Sequence, residues 1–393
     1  MNYEFSGYER NNGVGVRNHI LIVPTVTCSE YLAKRITDEA LRFYNNNDGR
    51  IKFLHNPYGC GQAGKDLDQT TRTLINTAAN PNVAAVLVLS LGCESIDAEN
   101  VADKISETKR VEFLRIQNYG MKETLVRSLD KLKELALESA AFRRKSFSID
   151  SLSVALKCGG SDYTSGLVSN PIVGRISDEI VKNGGTTIIG EIPEFIGAEQ
   201  IYAARAKNEK IKIEILRTVK NFEEKLKSEG QVDFRNAQPS PGNIEGGLTT
   251  IEEKSLGAVK KSGNAIVEDV LDYSMIPEEK GHFLMNTPGY DVEAVTGEVA
   301  GGCTIVLFTT GRGTPTGNPV APVLKITANA ETASIMDDLI DFDCSGVLNG
   351  EETFEEATKK LMDLILKTAD GKLTKSEINC QDDFLIYRIG PTY

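Results

Sequence analysis

The sequence predicts an α/β protein, with a Rossmann-like parallel-sheet domain over residues 1–150 followed by a second α/β domain over 151–393. Three observations carry that expectation. Near-continuous apolar runs, Ile20-Leu21-Ile22-Val23 and above all 83–91, lack the alternation of a half-wet strand and read as strands buried on both faces. Amphipathic stretches of helical length separate the runs and supply the crossover that a parallel pair needs. A chain of 393 residues is, finally, too long for one ordinary core.

In chain order, strands are expected at 20–23, 51–54, 83–91 and 111–116, with helices at 30–44, 63–79, 98–108 and 122–143 between and after them. The second domain opens with a strand at 152–156, a helix at 171–182 and a strand at 186–189. A charged helix at 207–229 then leads into a long loop marked by Pro239, Pro241 and Gly242. Strands at 265–271 and 304–308 and helices at 330–340 and 354–368 complete the reading.

Composition narrows the class of partner. The net charge of −12 and the absence of a clustered basic stripe argue against nucleic acid. Residues 1–17 are polar and glycine-bearing without the apolar core of a secretory signal, and no apolar stretch approaches the roughly 20 residues of a membrane span. A cytoplasmic protein without a membrane partner is expected. Seven cysteines, an odd number scattered through the chain, read as reduced thiols rather than a disulfide framework.

Three of those cysteines end apolar runs beside glycine: Gly59-Cys60-Gly61, Leu91-Gly92-Cys93-Glu94 and Lys157-Cys158-Gly159-Gly160-Ser161-Asp162. Ligands of open parallel sheets bind outside the carboxyl ends of the strands, so the three segments are expected to build one polar site. Gly159, Gly160 and Ser161 could hold an anion on backbone N–H groups. His55, five residues before Cys60, suits a metal ligand or a proton-transfer group as well as a structural imidazole. Glu191-Ile192-Pro193-Glu194 follows a strand and reads equally as a carboxylate pair for metal or acid–base work and as the first turn of a helix. Arg312, among glycines after the strand at 304–308, is placed to grip a carboxylate. Lys254 reads as a solvated helix residue. No Gly-x-Gly-x-x-Gly follows the first strand and no phosphate-loop motif occurs, which removes support for nucleotide binding.

Taken together the segments resemble the large domain of the altronate dehydratase and galactarate dehydratase family. The resemblance rests on Gly7-Tyr8-x-Arg10 with Gly15-x-Arg17-Asn18, Pro24-Thr25-Val26-x-Cys28-Ser29, the three cysteine motifs and Asn170-Pro171. It continues through Ser240-Pro241-Gly242-Asn243, Gly246-Gly247-Leu248-Thr249-Thr250, Glu253-Lys254-Ser255-Leu256-Gly257, Thr287-Pro288-Gly289-Tyr290-Asp291 and Phe308-Thr309-Thr310-Gly311-Arg312-Gly313. It implies a lyase that removes water from a sugar acid such as altronate to give a 2-keto-3-deoxy acid. It also implies a divalent metal, iron(II) in the first place, with manganese or magnesium as alternatives. Full-length members carry a small amino-terminal SAF-type domain, whereas here the motifs begin at Gly7. The expectation is a large subunit of an oligomer with a separate small SAF-domain partner. Such split systems include sulfolactate sulfo-lyases, which release sulfite and pyruvate; a sugar-acid-binding subunit without catalysis is a further alternative.

For such a reaction the proton beside the carboxylate must leave while negative charge grows on that carboxylate. Lys157, if its basicity is lowered, or His55 is the expected base, with Glu94 and Asp162 as acids or ligands. Arg312, Gly159, Gly160, Ser161, Thr310 and Asn243 are the expected substrate holders. Cys60, Cys93 and Cys158 would form a thiolate shell favouring iron, with oxygen and imidazole ligands as the alternative.

Overall fold

The computed structural model describes residues 3–44, 49–230 and 233–393. Fourteen strands are described: β1 (Glu4–Arg10), β2 (Gly13–Gly15), β3 (His19–Pro24), β4 (Ile51–Phe53), β5 (Val83–Ser90), β6 (Arg110–Arg115), β7 (Lys145–Ser148), β8 (Ser153–Cys158), β9 (Thr186–Ile189), β10 (Val267–Leu271), β11 (His282–Met285), β12 (Ile305–Thr309), β13 (Val323–Thr327) and β14 (Phe342–Asp343). They form three sheets. Four strands in the order β4-β3-β5-β6 are all parallel, with Ile20 opposite Ile51 and Ala85, and Ala85 opposite Arg110. Seven in the order β10-β11-β9-β8-β12-β13-β14 are again all parallel. The third sheet, β2-β1-β7, is antiparallel and brings residues 4–15 against the segment that joins the two larger sheets.

The apolar runs become the central strands. Every residue of β3, β5, β12 and β13 is buried, as parallel strands with helices on both faces must be. Between the two parallel sheets lie the helices Gly64–Ala79 and Asp291–Ala300, packed on each other. Leu21, Val86 and Val88 of the first sheet therefore share one core with Ala155, Val306 and Phe308 of the second, bridged by Leu74, Val295 and Val299. The carboxyl-terminal segment closes over this layer. Phe384 and Ile386 are buried in it, and Asp66 binds Arg388 and the backbone N–H groups of Ile389 and Gly390.

The expected α/β class is observed, and the differences have physical causes. The polar amino terminus forms β1, the central strand of the antiparallel sheet, and β2 at its edge, and their mixed exposure gives no continuous apolar run. β11 and β13 also escaped the sequence reading, because each carries a charged or titratable residue, His282 and Lys325, inside a run that is wholly buried. The helix expected at 122–143 starts at Ile116 and is broken at Gly120, whose φ of 72° an L-residue adopts only with strain.

Candidate active site

The carboxyl edge of the seven-stranded sheet gathers ionisable side chains from five neighbouring segments. Lys157 and Cys158 end β8, Glu191 and Glu194 follow β9, Asp291 opens the helix after β11, Lys261 sits in the short 3₁₀ turn Lys260–Ser262, and Thr310–Arg312 follow β12. Lys157 is fully buried, and its Nζ lies 2.6 Å from both Glu191 Oε1 and Asp291 Oδ1. Lys261 is equally buried. Its ammonium contacts Glu194 and stands 3.1 Å from the Cys158 sulfur, while the Cys158 thiol lies 3.2 Å from both Glu194 oxygens.

This network splits two neighbouring carboxylates into different states. Burial, reinforced by the charge of Glu194, raises Glu191 to about 7. Burial opposes ionisation of Glu194 as well, but the ammonium of Lys261 overrides it and holds Glu194 well below the usual carboxylate range. Desolvation works against the charge on Lys157, yet Glu191 and Asp291 prevail and raise it well above an ordinary lysine. The Cys158 thiol is pushed up to about 12 by burial and by Glu194, so it is protonated at neutral pH. Glu191 also has a left-handed backbone, φ 66° and ψ 66°, which costs a non-glycine residue about 1–3 kcal/mol. Its N–H donates to Thr287 Oγ1 at 2.6 Å, which fixes the turn that aims the carboxylate.

Above the network opens a cavity of about 580 Å³ lined by Cys158, Gly159, Gly160, Ser161, Glu191, Glu194, Asn243, Lys254, Tyr290, Asp291 and Arg312. That volume suits a small polar molecule. Beneath it, Lys157, Phe308 and Lys325 stand in register across β8, β12 and β13, with Phe308 between the two lysines. The Lys325 Nζ is 3.5 Å from the ring centroid and makes no hydrogen bond among the described residues, and burial lowers it to about 7.

The structure sorts the residues singled out in the sequence. Gly159, Gly160, Ser161, Asn243 and Arg312 line the cavity; Arg312 donates to Glu245 at 2.6 Å and to the Gly242 carbonyl at 2.8 Å, and Asn243 donates to the Ser161 carbonyl. Thr310 accepts from the Gly313 N–H and braces the loop. Asp162 accepts hydrogen bonds from Thr164, Ser165 and Asn329 and anchors its turn. Lys157 carries the raised basicity of an ammonium, contrary to the lowered one that a base role requires. Lys254, read from sequence as solvated, lines the cavity. His55 is exposed beside the four-stranded sheet and pairs with Glu30 at 2.8 Å. Glu94, half-buried there too, accepts from Thr25 and from the Gly92 N–H. Cys60 and Cys93 lie at the carboxyl edge of the four-stranded sheet, so the expected single site of three cysteines is replaced by a group of Cys158, Glu191 and Glu194.

Ligand atoms of Cys158, Glu191 and Glu194 lie within 4.8 Å of one another, a spacing that could hold a metal ion. The charge of the surroundings argues the other way. Lys157 and Lys261 already neutralise both carboxylates, and the Lys261 ammonium occupies the space between Glu194 and the thiol. With Asp291 as a third carboxylate, on Lys157, a divalent ion added there would still leave about one uncompensated positive charge in a buried site, an expensive state. The donors fit an ion in kind and spacing, and the two ammonium groups do not.

A doubly wound parallel sheet with acid–base groups at its carboxyl edge defines an α/β enzyme of the kind that works on a small polar substrate. Comparison narrows the class. Residues 149–392 match the family model of the D-galactarate/altronate dehydratase carboxyl-terminal domain, and residues 7–140 match that of the D-galactarate dehydratase/altronate hydrolase second domain. The chain is 36% identical to an altronate dehydratase of Bacillus subtilis over its whole length and 79% of that protein, and 37% identical to one of Escherichia coli over 98% of this chain and 78% of that protein. It is also 37% identical to the (2R)-sulfolactate sulfo-lyase subunit beta of Chromohalobacter salexigens, over 98% of this chain and 97% of that subunit. The chain belongs to the altronate and galactarate dehydratase family of lyases. Among the described residues no helix is long and apolar enough to cross a membrane.

Proposed function

We propose that the chain removes water from a 2,3-dihydroxy sugar acid of the altronate type, with Glu191 as the base. The observation that carries this reading is the divergence of Glu191 and Glu194, which both line the cavity: burial raises one carboxylate toward neutrality, and the Lys261 ammonium holds its neighbour ionised. Glu191 takes the proton from C2, and the electron pair of that bond moves onto the substrate carboxylate. Arg312 and the turn Gly159–Ser161 face the same cavity as candidate holders of that carboxylate. The C3–O bond then breaks as a C2=C3 bond forms, and the proton on Glu191 returns to the departing hydroxyl as water. The enol left behind takes a solvent proton at C3 and becomes the 2-keto-3-deoxy acid. Lys157 and Lys261 hold two positive charges against Glu191, Glu194 and Asp291, so the site stays within about one charge of neutrality as Glu191 alternates between its two forms.

A second reading, loss of sulfite from sulfolactate, shares the first step. It is favoured by the match to nearly the full length of the sulfo-lyase beta subunit, against 79% of an altronate dehydratase. The name of that relative, a subunit, supports a multi-subunit enzyme, and the small SAF-type partner is what the family resemblance implies. Iron(II), which the family resemblance implies, has no step in this scheme.

The test is co-expression with the small-subunit gene and assay on D-altronate, galactarate and 3-sulfolactate for 2-keto acid and sulfite. Keto acid from a sugar acid without sulfite is expected. Sulfite and pyruvate from sulfolactate alone would replace this reading with the second.

A further inference from the structure

Four of the seven cysteines are exposed: Cys28, Cys60, Cys93 and Cys380. Free cysteine is ordinarily among the most buried residue types, so exposure of this many asks for a chemical reason. Three of the four occupy one edge of one sheet. Cys28 follows β3, Cys60 lies in the loop after β4 and Cys93 follows β5, all at the carboxyl ends of parallel neighbours.

The three loops are bonded directly to one another. The Thr27 N–H donates to the Tyr58 carbonyl at 3.0 Å, and the Ser95 N–H donates to the Gly59 carbonyl at 2.9 Å. The Gly61 N–H reaches Ser95 Oγ at 3.1 Å. Each cysteine is within two residues of one of these bonds, or about 7 Å of chain at most. The packing leaves no slack, since a Cβ on Gly59 would lie 2.1 Å from the Thr25 carbonyl oxygen. Gly59 and Gly61 on either side of Cys60, and Gly92 before Cys93, have φ of 102°, 66° and 121°. Such turns favour glycine, and the cysteines beside them are exposed.

We propose that Cys28, Cys60 and Cys93 are the three protein ligands of a cuboidal iron–sulfide cluster whose fourth iron is left open to an oxygen of a small hydroxy acid. Three thiolates are the soft donors that such clusters take. A single zinc ion would draw sulfurs to about 4 Å from one another, given Zn–S bonds near 2.3 Å. Among the described residues the group of ligand atoms within 4.8 Å is Cys158, Glu191 and Glu194, so the three thiols are spaced more widely than one shared ion requires. A cluster, whose metals sit on separate corners, bridges the wider spacing. The edge also faces the 11-residue helix Glu30–Ala40 at its amino terminus, which favours an anionic occupant. The inference is independent of the role given to Glu191, because cluster content is read without turnover.

The experiment is anaerobic reconstitution of the full chain with ferric iron, sulfide and excess thiol, which reduces half of the iron, followed by iron and sulfide analysis and visible absorbance. The expected result is about four iron and four sulfide per chain with a broad visible band. Cys28→Ser, Cys60→Ser and Cys93→Ser should each lose most of both, while Cys380→Ser and Cys158→Ser keep them. Alkylation of the unmodified chain, mapped by peptide mass, decides the matter should any serine variant fail to fold. The cluster should protect Cys28, Cys60 and Cys93 while Cys380 reacts equally before and after loading. Iron taken up without sulfide, a chromophore retained in Cys93→Ser, or equal alkylation of the three thiols with and without loading would overturn the proposal.

Discussion

Glu191 sits in a left-handed turn, beside Lys157 and above Thr287, and burial raises its carboxyl toward neutrality, which suits the proposed base role. Glu191→Gln keeps the size of the side chain and removes its proton chemistry. Its kcat should fall by about 10²–10⁴-fold with little change in substrate affinity, read by turnover and calorimetry on the same preparation. The pH dependence has a definite sign. Glu191 must be ionised to accept a proton, and its basicity is raised to about 7, so kcat/KM should fall as pH drops below about 7 rather than below the usual carboxylate range. Removing the ammonium in Lys157→Met withdraws a charge that favours the ionised form, and the acid limb should then move to higher pH. Much at this scale was readable from sequence. Gly159, Gly160, Ser161 and Arg312 stood out because apolar runs end beside them, Asn243 only as part of a family motif, and all five line the cavity. Lys261 gave no signal, since Lys260-Lys261-Ser262-Gly263 reads like any charged surface turn although the structure buries Lys261 completely. Lys325, likewise, looked like an interruption of a strand rather than part of one.

The position of Lys261 is set by an element, the 3₁₀ turn Lys260–Ser262, which rests on the helix Asn170–Lys182. The contact is made at Gly174, where an added Cβ would lie 2.1 Å from the Lys260 carbonyl oxygen. Gly174→Ala should therefore push that turn outward, lowering stability by about 1–3 kcal/mol and reducing turnover by displacing the Lys261 ammonium from Glu194. A shifted denaturant midpoint with an unchanged slope would report the first, and kinetics on the folded fraction the second. Elements with unbroken apolar runs were legible, as β3, β5 and β12 show. β11 and β13 were not, because their polar residues are reconciled with burial only by partners far away in sequence. His282 lies between Thr187 at 2.8 Å and Tyr202 at 2.9 Å, and Lys325 lies over Phe308.

At the scale of the molecule, the two parallel sheets share a core, and residues from both ends of the chain hold the arrangement together. Arg17 is fully buried, pairs with Glu377 at 2.6 Å and donates to the carbonyls of Val16, Thr368 and Lys372. Arg17→Ala would leave Glu377 and those carbonyls without their partner and should cost about 3–5 kcal/mol in denaturant unfolding. The sequence announced Arg17 only as part of a family motif, because a pairing across 360 positions leaves no local pattern. The same global closure places the cavity and its ionisable floor at one edge of the second sheet, and the central claim is that Glu191 performs the proton transfer there. Its most direct test is solvent-deuterium exchange at C2 of D-altronate, followed by NMR with the small partner present, in the unmodified enzyme and in Glu191→Gln. Glu191-dependent washout of the C2 proton, or keto-deoxy product carrying solvent deuterium at C3, together with loss of both in a variant that still binds substrate, is the predicted result. Undiminished exchange or product formation in Glu191→Gln would contradict the account.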